Sequence, residues 1–248
     1  DLNRAGTPLI EIVSEPDIHS AAAAKAYANE LYRLMTYAGV THGDLYHGNM
    51  RFDVNLSVAK KGADELGKRS ETKNLNSFRS VEKAAEYEFM RQVALLEKNQ
   101  PVIQETRGWV DDQQITVSQR SKEDAQDYRY MPDADIPPIV LTDDEISQIQ
   151  AKVPKLPPEY RREFSKLKVD SSVINSLLHT RTYAELVSDV LARDLSAATR
   201  VANWLSSNLV HDVSMQSDEV SVAAIDDLLI LTQMTEKSEI SSNSASHL

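Results

Sequence analysis

The chain has 248 residues, a formal net charge of −11 at pH 7, 41% hydrophobic and 26% charged residues, the balance of a globular protein rather than a disordered one. Cysteine is absent, which excludes a disulfide framework, a thiolate metal site and a cysteine nucleophile. Apolar runs fall far short of the about 20 residues of a membrane-spanning helix, and the acidic balance excludes a surface-wide attraction to nucleic acid or anionic lipid while leaving room for a local basic groove.

In chain order, residues 8–13 read as a strand. Ser20 then caps a helix that runs through Leu31, Leu34 and Met35 to a stop at Gly39. Residues 50–58 alternate without a break: Met50, Phe52, Val54, Leu56 and Val58 face one side, Arg51, Asp53, Asn55 and Ser57 the other. Residues 69–75 read as a second strand, 80–98 as a helix with Val81, Ala85, Phe89 and Leu96 near one stripe, and 102–109 with 114–120 as a hairpin around Asp111-Asp112. Together these predict an α+β domain with a mainly antiparallel sheet, helices on one face and a polar opposite face.

Prolines 132, 137, 138, 154, 157 and 158 mark an extended connector. Acidic residues outnumber basic ones on both sides of it, so charge does not mark a boundary. Beyond it the spacing predicts a helical bundle, with helices at about 143–152, 158–166, 170–178, 182–192, 195–211 and 220–234.

The polar sheet face is the informative feature. Arg51, Asp53 and Asn55 point into the same space, and Glu71 and Lys73, two apart on the next strand, share a face as well. Glu105 and Arg107 repeat the pattern, and Ser118 and Arg120 are candidates for it. Such a face is either water-exposed, with cross-strand ion pairs, or the floor of a polar ligand site. In the second case Arg and Lys suit nucleotide phosphates, and the carboxylates suit Mg2+. Elsewhere the signals are weaker. His42 and His47, with Asp44 between them, form a polar loop or a metal pair. Asp127-Tyr128-Arg129-Tyr130 packs the connector or stacks on a base. Arg161, Arg162, Lys166 and Lys168 make a solvated helix face or an RNA-backbone contact. There is no phosphate-loop or dinucleotide fingerprint and no nucleophile elbow.

Several long motifs, in one order, resemble a known family. The run Asn3-Arg4-Ala5-Gly6-Thr7-Pro8-Leu9-Ile10-Glu11-Ile12-Val13-Ser14-Glu15-Pro16 is similar to the signature of the B subunit of tRNA-dependent amidotransferases, GatB of the GatCAB complex. Arg51-Phe52-Asp53-Val54-Asn55, Glu71-Thr72-Lys73-Asn74-Leu75-Asn76-Ser77-Phe78, Gln104-Glu105-Thr106-Arg107, Arg120-Ser121-Lys122-Glu123 and Asp127-Tyr128-Arg129-Tyr130-Met131-Pro132 follow where that family has them. The likeness is dense over residues 1–140 and weaker beyond.

The resemblance implies a cradle domain with a sheet like that of glutamine synthetase over 1–140, an all-α helical domain over 141–218, and the start of a tail domain over 219–248. It implies an ATP- and Mg2+-dependent kinase acting on the side-chain carboxylate of Glu-tRNA(Gln), Asp-tRNA(Asn) or both. Amidation follows, with ammonia from a GatA-type amidase; a GatC-type subunit completes the heterotrimer. The setting would be a bacterial cytoplasm or an organellar matrix, without a membrane. By the same likeness Glu11 and Asp53 would be Mg2+ ligands or metal-adjacent acids, with Glu71 and Lys73 beside them in the catalytic set. Arg51, Lys73 and Arg107 would hold phosphates; Asn55, Glu71, Asn74 and Glu105 would complete the polar shell. Arg120, Lys122 and Arg129 would lie near ATP or the tRNA 3′ end.

Two departures weigh against a simple transfer. An acidic turn usual before the Arg51 strand reads Tyr46-His47-Gly48-Asn49, and Met131 stands for a usual Phe. The chain begins Asp1-Leu2-Asn3-Arg4 and is expected to be an internal piece of a longer protein, with little or no kinase activity alone. A non-catalytic tRNA-binding scaffold is the alternative that the altered turn favours. A small-molecule amide ligase is disfavoured by the helical extension.

Overall fold

The computed structural model describes residues 6–121, 135–211 and 225–246, without the side chains of 120, 121 and 208–211. Among these, 6–30 and 44–121 form one compact unit, and 31–43, 135–211 and 225–246 form another. The first helix, α1 (Ala21–Tyr37), gives its first residues to one unit and its last to the other.

The first unit is built on a four-stranded sheet of order β1 (Phe52–Ser57), β2 (Arg69–Leu75), β3 (Glu105–Val110) and β4 (Ile115–Ser121). β1–β2 and β3–β4 pair antiparallel, whereas β2–β3 pair parallel. The sheet is therefore mixed, not simply antiparallel. Parallel neighbours need a crossover, and α2 (Phe78–Glu97) supplies it. Ser77 starts that helix, its hydroxyl accepting from the Ser80 N–H at 3.0 Å.

The buried stripe of α2 is Val81, Ala84, Ala85, Glu88 and Gln92. Phe89 and Leu96, expected on it, are exposed. The reason is chemical: Glu88 and Gln92 find hydrogen-bond partners under the sheet, and this rotates the apolar pair outward. Ala28 of α1, Leu75, Val81, Ala84 and Trp109 make the small apolar core.

Residues 8–13 do not form the expected strand. They pair with no strand among the described residues, and Leu9 and Val13 are exposed. A strand exists through its ladder, and alternation alone cannot supply one.

The second unit is helical: α3 (Asp143–Gln150), α4 (Pro157–Phe164), α5 (Ser171–Leu177), α6 (Arg181–Arg193), α7 (Leu195–His211), α8 (Ile225–Glu236) and the short α9 (Ser242–Ala245), which the spacing did not predict. Tyr160, Phe164, Leu177, Val187, Val190, Val201 and Trp204 lead its core, with Tyr37 from the end of α1. Ala245 belongs to the same core, and Ile225, Leu228 and Leu229 pack against it. Residues 225–246 thus join the helical unit. The connector carries α3, which buries no residue and is held by the Thr142–Glu145 capping box. Among the described residues no helix is long and apolar enough to cross a membrane.

Candidate functional site

The sheet has one face under α2 and one open face, and strand register decides which side chains reach each. On β1, Phe52, Val54 and Leu56 are half-buried while Asp53 and Asn55 are exposed. On β2, Ser70, Thr72 and Leu75 are buried, and Glu71 and Lys73 turn to the open side with Asp53. There the Lys73 ammonium lies between two carboxylates, 3.6 Å from Asp53 Oδ2 and 3.5 Å from Glu71 Oε1. Burial works against the ammonium's charge, but Asp53 and Glu71 outweigh it and hold its pKa above the ordinary lysine value.

A bulge shapes this spot. Phe52 pairs with Leu75 and Val54 with Thr72, so Asp53 alone faces both Lys73 and Asn74. Asn74 is the extra residue and adopts φ +68°, a left-handed conformation that Asn tolerates better than most. It is exposed beside Lys73.

Across the parallel pairing Glu71 neighbours Thr106, whose hydroxyl donates to Glu71 Oε2 at 2.9 Å. The backbone register pairs Arg120 with Thr106. Gln119 is the extra residue of a second bulge, and its side chain crosses Gly108, where an added Cβ would stand 2.2 Å from Nε2. Just before β1, Arg51 lays its guanidinium against Gly48, at 3.3 Å from where a Cβ would sit. Gly48 has φ +71°, so glycine suits this turn twice over. The same turn is tied by His47, whose ring Nδ1 is 2.5 Å from Asp44 Oδ2 and whose N–H donates to Asp44 Oδ1 at 2.9 Å. The His47 contacts hold the Asp44 carboxyl below its ordinary range.

Glu105 and Arg107 do not share the open face, contrary to the reading from alternation. They point under the sheet toward α2. The Arg107 Nε donates to Thr116 Oγ1 at 2.7 Å and lies 3.4 Å from Glu88 Oε2, and Nη1 bonds Glu105. Ser118 donates to Glu105 at 2.5 Å, so it too is on this side. Glu88, fully buried, accepts from Ser70 at 2.6 Å, from Arg91 Nε at 2.9 Å and from Thr116 at 3.1 Å. Burial pushes the Glu88 carboxyl up, but the bonds from Arg91, Ser70 and Gln92 prevail and hold it below the ordinary glutamate value. This is a packed ion-pair network that fastens the helix to the sheet. Glu105 and Arg107 are parts of that fastening.

Glu11 lies in the exposed segment ahead of α1, and no described contact joins it to Asp53. Lys122 and Arg129, with the Asp127–Tyr130 run, fall outside the described residues. Among the described residues no three His, Asp or Glu side chains gather as a metal site, His42 and His47 included. What the open face offers is two carboxylates, an ammonium and the amides of Asn55 and Asn74, with Arg51 near the start of β1. Thr106 and the β2 bulge were missed by the sequence reading, since Thr in a strand reads as a strand former and residues 69–74 are polar throughout, so no apolar alternation displays the phase shift at Asn74.

Residues 1–147 match the GatB/GatE catalytic domain family. The chain is 42% identical over 229 residues to the B subunit of the aspartyl/glutamyl-tRNA(Asn/Gln) amidotransferase of Janthinobacterium sp. (strain Marseille), covering 91% of this chain and 47% of that protein. It is 43% identical over 213 residues to the corresponding protein of Synechococcus sp. (strain JA-3-3Ab), covering 84% and 43%. It is 39% identical over 252 residues to that of Agathobacter rectalis, covering 99% and 52%. The chain spans about half the length of the curated relatives it matches. It belongs to the GatB/GatE family.

Proposed function

We propose that this chain carries part of the kinase site of a tRNA-dependent amidotransferase and that the open sheet face is the floor of that site. The reaction would phosphorylate the side-chain carboxylate of Glu-tRNA(Gln), Asp-tRNA(Asn) or both. A carboxylate oxygen attacks the γ-phosphorus of ATP, the bond from that phosphorus to the bridging oxygen breaks, and ADP leaves with the electron pair. Ammonia from a GatA-type amidase then attacks the acyl carbon and phosphate departs, a GatC-type subunit completing the assembly. Family membership and the names of the relatives support this reading.

The observation that carries it to particular residues is the Asp53–Lys73–Glu71 cluster. Phosphoryl transfer asks the protein mainly for positioning and charge stabilisation. Lys73 is kept charged and is 44% exposed, so its ammonium can turn to phosphate oxygens. Asn55 and Asn74 would donate amide hydrogen bonds beside it, and Arg51 would supply a second cation. Two neighbouring carboxylates fit Mg2+, which takes one or two protein carboxylates and fills its other positions with phosphate oxygens and water. Asp53 and Glu71, with Glu11 by family likeness, would hold it; the ion supplies neutralisation of phosphate charge when bound. Arg120, Lys122 and Arg129 would extend the cationic rim. In the helical unit the exposed Arg162, Lys166 and Lys168 would meet tRNA phosphates.

The test is ATP hydrolysis by the full-length protein assembled with its amidase partners, with and without Glu-tRNA(Gln). Turnover should depend on the charged tRNA and collapse in Asp53→Asn. Tight tRNA binding with no turnover in either protein would mean a scaffold and overturn the proposal.

A further inference from the structure

We infer that Thr106 is a positioning residue for the phosphoryl-transfer step, acting through Glu71; this rests on the kinase reading above. The two oxygens of the Glu71 carboxylate are divided between neighbours. Oε2 accepts the Thr106 hydroxyl at 2.9 Å, and Oε1 faces the Lys73 ammonium at 3.5 Å.

The division follows from the fold. The parallel pairing sets Glu71 beside Thr106 on adjacent strands, so their side chains emerge on the same face. Thr106 is almost fully buried, and its β-branched side chain has few rotamers in a strand. Its hydroxyl is therefore a fixed donor. Glu71 is longer and has more rotamers, and loss of that donor removes one of the bonds that orient its carboxylate about the last torsion. Rotation would move Oε1 relative to Lys73 and let the ammonium swing toward Asp53 alone. Thr106 thus converts a flexible acid on β2 into an oriented one, at no cost in charge. Thr106 touches neither nucleotide nor tRNA in this scheme, and its effect reaches the reaction only through Glu71 and Lys73.

The experiment measures Glu-tRNA(Gln)-dependent ATP turnover in the assembled full-length complex for wild type, Thr106→Val, Thr106→Ser, Glu71→Gln and the double variant Glu71→Gln/Thr106→Val. Valine keeps the shape and removes the hydroxyl; serine keeps the hydroxyl. Thr106→Val should lower kcat about tenfold, the scale of one hydrogen bond to a charged group, with the KM for charged tRNA unchanged. Thr106→Ser should restore kcat, and all Thr106 variants should melt within a few degrees of wild type. Glu71→Gln should lose more activity, and adding Thr106→Val to it should change nothing further. A Thr106→Val enzyme with normal kcat beside a crippled Glu71→Gln enzyme overturns the positioning role and leaves the kinase site standing. Full activity in Glu71→Gln overturns both. Equal losses in Thr106→Val and Thr106→Ser, with lowered melting, assign Thr106 to packing and also overturn the inference. Should the valine variant not assemble, Thr106→Ala takes its place under the same criteria.

Discussion

Glu88→Gln probes the network under the sheet. Glutamine matches glutamate in shape, so no cavity opens; the change removes a buried charge and turns one acceptor oxygen into a donor NH2. At either oxygen that NH2 would meet groups that now donate to the carboxylate: Ser70 at 2.6 Å, Arg91 Nη2 at 2.5 Å and Gln92 at 3.2 Å on Oε1, or Arg91 Nε at 2.9 Å and Thr116 at 3.1 Å on Oε2. Arg107 would lose the carboxylate 3.4 Å from its Nε. Removing one member of a buried ion pair costs about 3–5 kcal/mol. The lower end applies here, because Arg107 keeps Glu105 and the Arg91 side chain is 20% exposed to water. A loss of about 3 kcal/mol would be a large part of a domain's about 5–15 kcal/mol.

The assay is urea unfolding of a Trp204→Phe background, in which Trp109 is the remaining tryptophan, followed by fluorescence and circular dichroism at several pH values. The folded-state pKa of Glu88 lies below its unfolded value, so its contribution is present above the ordinary glutamate range and is lost as the pH falls through the lower folded pKa. The difference between wild type and Glu88→Gln should therefore shrink as the solution is acidified below that range. A loss below about 1 kcal/mol at neutral pH, the value of an exposed pair, or a difference that stays constant on acidification, would refute the reasoning.

Asn74→Gly should leave the melting temperature nearly unchanged, because glycine also accepts φ +68°. Asn74→Val should cost about 1–2 kcal/mol in thermal unfolding, since a β-branched residue is strained in that conformation. Lys73→Met and Arg107→Met should separate the two faces. The first should abolish charged-tRNA-dependent ATP turnover with little change in melting; the second should lower melting first and leave the KM for ATP of the folded enzyme unchanged. Paired melting curves and ATP titrations check both.

Much of the fold is legible because local signals agree. Residues 69–75 form β2 as read, and Ser20 starts α1, its hydroxyl accepting from the Ala23 N–H at 3.1 Å. Gly39 ends that helix with φ +70°. Helices α4 to α8 of the second unit follow their periodicity closely, since each packs a stripe on one shared core, whereas α3 buries none. The phase between strands is another matter. Alternation assigns Glu105 and Arg107 to one face of β3, but only the β2–β3 pairing says which face of the sheet that is. It matches Glu71 with Thr106, and this single register sends Arg107 under the sheet. The same limit applies to residues 8–13, whose pattern suits a strand that finds no partner among the described residues.

The two faces use the same residue types for opposite ends. Under the sheet, Glu88, Glu105, Arg91 and Arg107 neutralise one another within buried hydrogen bonds, and every charge there is committed to a protein partner. On the open face Lys73 is shared at 3.5 and 3.6 Å by two carboxylates, distances too long for tight hydrogen bonds, with the ammonium partly in water. A pair held that loosely can exchange partners when a phosphate or a cation arrives, whereas the network below cannot without unfolding. The rigidity of the lower face also gives the upper one its precision. Glu88 clamps Ser70 of β2 and Thr116 of β4, and Gln92 donates at 3.0 Å to the Leu56 carbonyl of β1, so one helix fixes three of the strands from which the open side chains rise. Residues that cannot reach the reacting groups thus set the spacing of those that would.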